Sequence, residues 1–125
     1  LLSNYKALRS DNKNIAKTKA DLLQGSLDLL ILKAVTLGPL HGWGISKRIR
    51  QMSREALEVN QGSLYPALHR LEDRGFITAE WKNSDEGRRA KFYSLTTLGR
   101  RQFVEEQERW KAFAAAVGHT LRADS

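Results

Sequence analysis

Ser63, Tyr65, Pro66, His69 and Arg70 fall within one short stretch, Gln61 to Gly75, and their side chains suit one kind of chemistry. Hydroxyl, phenol, imidazole and guanidinium groups bond to phosphate oxygens and to base edges. A second group, Arg88, Arg89 and Lys91, lies further along the chain and offers cations to the same phosphates. Catalysis is not written into these residues. His41, His69 and His119 are dispersed, there is no cysteine, and no Gly-x-x-x-x-Gly-Lys phosphate loop occurs. No enzyme, no metal and no cofactor are therefore expected. His41, beside Gly42, reads as a turn or helix-start residue rather than a metal ligand.

The charge balance agrees. Lys and Arg number 21 against 14 Asp and Glu, a net +7 over 125 residues with a pI near 10. Such a balance favours a polyanionic partner, nucleic acid first and an anionic membrane surface second. A hydrophobic share of 41% is ordinary for a folded domain. The longest apolar run, Leu29 to Leu32, falls far short of a membrane span, and Leu1-Leu2-Ser3 opens no signal peptide. A cytoplasmic protein is expected.

The candidate residues need a scaffold. Leu64, Ala67, Leu68 and Leu71 recur at helical spacing and make one buried stripe, with Tyr65, Pro66, His69, Arg70 and Asp73 opposite. Ser63 is placed to cap this helix, over 63–74, with Pro66 in its first turn and Gly75 ending it. Ahead of it, Ser26 to Leu37 reads as a largely apolar helix, the spine of a core, stopped by Gly38-Pro39. His41 to Gly44 is read as a turn. A helix from about Trp43 to Met52 follows, with Ile45, Ile49 and Met52 inward. A looser stretch to Asn60 has Leu57 and Val59 as anchors. Two short helices in this order form a helix-turn-helix.

After Gly75 the period becomes strand-like: Phe76 to Trp81 and Lys91 to Leu95 flank Lys82 to Arg89, a hairpin with a long, net positive tip. Thr97-Leu98-Gly99 leads into a last helix, about 100–121. Its apolar stripe of Phe103, Trp110, Phe113, Val117 and Leu121 exceeds what a small domain can cover, so a second copy is expected against it. Trp110 and Phe113 could also line, with the first helix, an apolar cleft for a flat aromatic effector, although dimer core is the commoner role for such residues. Residues 1–20 form a basic extension, 21–97 the winged domain, and 98–125 the dimerisation helix and tail. The fold class is mainly α with a small β-hairpin.

Four blocks now stand in order: Leu22 to Leu32, Gly38 to Ile45, Gln61 to Glu72, and Arg88 to Thr96. In sequence and spacing they resemble the PadR family of bacterial transcriptional regulators, in particular its acidobacterial branch. The resemblance covers about residues 20–121. Trp43 departs from it, standing where the family usually has Tyr, and the polar extension before residue 20 is longer than in the smallest members. The resemblance implies a winged helix-turn-helix with a C-terminal dimerisation helix, acting on double-stranded DNA, often as a repressor released by a small molecule. Carried onto this chain, Ser63 and Tyr65 would meet the backbone and base edges, with His69 and Arg70 further along. Arg88, Arg89 and Lys91 would grip phosphates or the minor groove. A winged helix that binds proteins, its basic surface serving solubility, is the competing expectation.

Overall fold

The computed structural model describes residues 25–124. The expected N-terminal extension lies outside them. The described part of helix α1 covers 25–34 and supplies Ile31, Leu32 and Ala34 to the core, with Val35 just beyond. It stops short of the expected Leu37. The chain turns at 35–37, Gly38 takes φ +145, and Leu37 is left 81% exposed. A strand follows where only a turn was expected: β1 (Leu40–His41) pairs antiparallel with a later strand, too short for any alternation to register in the sequence.

Helix α2 (Gly42–Met52) is capped by His41, whose Nδ1 accepts from the Gly44 N–H at 3.0 Å. Ile45 and Ile49 are fully buried, whereas Met52, expected inward, is 42% exposed. Leu57, expected as an anchor, is exposed too, so Val59 alone of that pair packs against the core.

Helix α3 (Gln61–Asp73) starts two residues earlier than the sequence suggests. Its cap is Asn60, whose Oδ1 accepts from the Ser63 N–H at 2.8 Å. Ser63 therefore sits inside the first turn and is not the cap. Pro66 is correspondingly in the second turn, where its missing N–H deprives the Gly62 carbonyl of its usual helical donor. The far end is as expected. Gly75 has φ +79, and bonds from Gly75 N to Glu72 O and from Phe76 N to Leu71 O, both 3.0 Å, close the helix. Leu64, Ala67, Leu68 and Leu71 are all at most 1% exposed, in one cluster with the α1 and α2 residues. Each Leu buried there contributes about 1.5–3 kcal/mol.

The hairpin is longer and its tip shorter than expected. Strands β2 (Ile77–Asn83) and β3 (Arg89–Leu95) pair antiparallel through seven residues each, and the sheet runs in the order β1-β3-β2. Lys82 and Arg89, expected in the tip, are thus strand residues, joined to Lys91 in the same ribbon. Polar side chains pair across such a ribbon as readily as apolar ones, so charge hid the strand ends.

Helix α4 (Thr97–Arg122) is 26 residues long and begins earlier than expected, because Thr96 caps it. The Thr96 hydroxyl accepts from Gly99 N at 2.9 Å and donates to Gly75 O at 2.6 Å, while Thr96 N donates to Phe76 O at 3.1 Å. Four consecutive elements meet here: the end of α3, the start of β2, the end of β3 and the start of α4. Gly99 is buried in this junction, and a Cβ on it would run into the Phe76 carbonyl and the Leu95 side chain. Gly118, in the same helix, would meet only the tip of the flexible Arg122 side chain.

Gly99→Ala should therefore lower stability by about 2–3 kcal/mol, since the obstacle is backbone. Gly118→Ala should leave it unchanged or raise it by up to about 1 kcal/mol through helix propensity. Urea denaturation of the two variants measures both.

Candidate nucleic-acid interface

The alternation of β2 and β3 aims the site. Ile77 pairs with Leu95 and Ala79 with Tyr93, and Ile77 and Tyr93 are buried, so this face of the ribbon looks onto the core. Continuing by twos, the same face carries the pairs Trp81–Lys91 and Asn83–Arg89. The ribbon outruns the core there, and these side chains emerge beside α3. Lys82 lies on the other face, its Nζ 4.7 Å from the centre of the Phe92 ring.

Between helix and ribbon lies an open groove of about 740 Å³. Tyr65 and His69, one helical turn apart on α3, line it with Arg88, Arg89 and Lys91 from the hairpin. Glu86 at the tip is the acidic member of the lining. Ser63 and Pro66 are exposed on α3 next to this face. Because Asn60 provides the cap, the Ser63 hydroxyl is not spent on it. Lys91 also reaches back to Glu72, at 3.5 Å, which holds the strand against the helix. Burial, with the charge of Glu72 adding to it, raises the Tyr93 phenol above its ordinary value.

Arg70 is placed differently. It does not line the groove: its Nη2 lies 3.1 Å from Asp28 Oδ1 on α1. Nothing in the sequence paired these two residues, which stand 42 positions apart.

Three further residues were missed. Trp43 and Trp81, 55% and 57% exposed, stand in the groove lining and add two broad rings to it. Lys47 Nζ sits 5.1 Å from the centre of the Trp43 ring. Gly42 is the third. A Cβ there would come within 2.7 Å of the Tyr65 hydroxyl, so the start of α2 is the seat on which the Tyr65 side chain rests. An exposed Trp in an aromatic-rich strand gives a sequence signal; the seat gives none, because it exists only when α2 and α3 are packed.

On α4 the expected apolar stripe divides. Phe103 packs half-buried against its own core, with Lys33 Nζ 5.8 Å from its ring centre, and so is not part of a free seam. Trp110, Phe113, Val117 and Leu121 are exposed, as is Val104. Trp110 and Phe113 share a cleft of about 380 Å³ with Gly25, Ser26 and Leu29 of α1 and with Glu106 and Arg109. Among the described residues no cluster of His, Asp or Glu can hold a metal, and no helix is long and apolar enough to cross a membrane.

Comparison with known proteins finds transcriptional regulators of the same fold. The model of the transcriptional regulator PadR-like family matches residues 31–105. A transcriptional regulator of Mycobacterium tuberculosis is 31% identical over 94 residues, covering 75% of this chain and 84% of its own. Among solved structures, a transcriptional regulator from Clostridium thermocellum superposes with a TM-score of 0.71 at 27% identity, covering 79% of this chain and 93% of its own. A PadR-like transcriptional regulator from Bacillus cereus gives 0.70 at 26%, covering 83% and 99%.

Gly42→Ala should push the Tyr65 ring off its seat while leaving the core intact. In binding assays on a preferred duplex, the Gly42→Ala and Tyr65→Ala variants should lose similar affinity, and the double variant no more than either. Simple addition of the two losses would show that Gly42 does not act through Tyr65.

Proposed function

The chain belongs to the PadR-like family of transcriptional regulators, DNA-binding proteins rather than enzymes, and on that premise we propose that it is a cytoplasmic repressor that binds a palindromic operator as a homodimer. Helix α3 enters the major groove, and the β2–β3 hairpin is the wing. The observation that carries this is the convergence of Tyr65 and His69 with Arg88, Arg89 and Lys91 on one groove. Ser63, Tyr65, Pro66 and His69 face the bases and adjoining backbone, where donor and acceptor geometry discriminates sequence. Arg88, Arg89 and Lys91 hold phosphates, which positions the helix without specifying sequence. The domain division follows: a basic extension over 1–20, the winged domain over 21–97, and the dimerisation helix and tail over 98–125.

The dimer uses the exposed stripe of Trp110, Phe113, Val117 and Leu121. Left in water, these side chains are a contiguous apolar surface at helical spacing, and a second copy covers them on both partners at once. The cleft that Trp110 and Phe113 share with α1 is the place for a flat aromatic effector. Release from DNA would then follow from a change in how α4 sits against α1. A winged helix that binds proteins instead of reading DNA explains the groove less well, because its cations gather beside Tyr65 and His69 rather than being spread for solubility.

Selection from a randomised duplex pool at near-physiological salt should enrich a two-fold symmetric site with half-site centres one or two helical turns apart. Retention without enrichment would return the protein-binding alternative. On the enriched site, Arg89→Ala should weaken selected and random duplexes alike and reduce the salt slope by about one. Tyr65→Phe should act mainly on the selected one. Trp110→Glu or Phe113→Glu should shift the protein to monomer in sedimentation.

A further inference from the structure

Asp28 is the buried charged residue among those described, 9% exposed on α1. Its Oδ1 accepts from Arg70 Nη2 at 3.1 Å. Arg70 follows His69 directly, and successive residues on a helix diverge by about 100°. While His69 faces the groove, Arg70 reaches across to α1. Arg74, the residue that caps the end of α3, and Glu106 of α4 also act on the Asp28 carboxylate through their charges. The pair therefore lies where α1, α3 and α4 meet.

The apolar stripe of α3 cannot supply what this pair supplies. Contacts of Leu64, Ala67, Leu68 and Leu71 are non-directional and tolerate small rotations of the helix about its own axis. A charge-assisted bond to a carboxylate fixed on α1 does not. Burial raises Asp28 above its ordinary value, with Glu106 adding to the rise and Arg70 acting against it. A buried ion pair of this kind is weak ground for stability, and fixing one packing arrangement is its better-attested use.

We propose that Asp28, through Arg70, is a positioning residue for sequence reading: it sets the rotation of α3 so that Tyr65 and His69 meet the base edges, and Arg70 serves recognition without touching DNA. The proposal rests on the reading that α3 enters the major groove.

The test uses the full chain, the duplex enriched from the random pool, and a random duplex of equal length. Asp28→Asn and Arg70→Met should each lower affinity for the enriched duplex about tenfold, the scale of one lost base contact. Random-duplex affinity and the salt slope should stay at wild-type values, a separation that general unfolding does not produce. The double variant should be no worse than either single one. If Asp28→Asn does not fold, Arg70→Lys decides: restored discrimination relative to Arg70→Met is the expected result, and none overturns the proposal. Loss of random-duplex binding or a shallower salt slope in Arg70→Met makes Arg70 a DNA contact and also overturns it. So does an Asp28→Asn variant that discriminates like wild type. A wild-type protein that enriches no sequence fails at the earlier step, and removes the DNA-reading premise together with this one.

Discussion

Helix α3 must bury four apolar side chains to hold the domain together, and that requirement governs the rest of the molecule. With Leu64, Ala67, Leu68 and Leu71 committed inward, only one face of the helix remains for recognition. The face is narrow, and its two ends are fastened by different means. Asn60 caps the start and a glycine-closed turn ends it, so the helix cannot extend or fray without losing those bonds. Pro66 weakens the backbone ladder near the start, which makes the caps and the packing beneath it matter more.

The hairpin obeys a second constraint, the two-residue period of a strand. Burial of Ile77 and Tyr93 fixes which side of the ribbon faces the body of the protein. Once that is fixed, Lys91 and Arg89 must emerge on the same side, and they arrive beside Tyr65 and His69. The cationic rim of the groove is thus a consequence of core packing carried forward along the strand. Trp81, paired with Lys91, comes with it.

Most of this architecture was legible in the sequence because it rests on periodicity and on end signals. The α3 stripe, the glycine stop at Gly75 and the change of period after it were each carried by adjacent residues. What escaped were features made by residues distant in the chain. The Asp28–Arg70 pair, the Gly42 seat for Tyr65 and the Leu40–His41 strand exist only once α1, α2 and the ribbon are packed together. The misplaced cap had a local cause: Asn60 and Ser63 both suit the role, and only geometry separates them. Phe103 shows the same limit on α4. It keeps the period of the exposed stripe yet packs against the inner core, whereas Trp110 stands half exposed over an open cleft beside α1.

The junction at Gly99 also has a mechanical meaning. Helix α4, at 26 residues, is roughly 39 Å long at the usual rise per residue, and it is anchored at one end by Thr96 and the Phe76 carbonyl. Phe103 packs against the core and Trp110 and Phe113 lie over α1, so much of the rod is held along the domain. Past Phe113, Val117 and Leu121 are exposed. One unbroken helix therefore ties the base of the hairpin to an apolar far end, with no joint between the two.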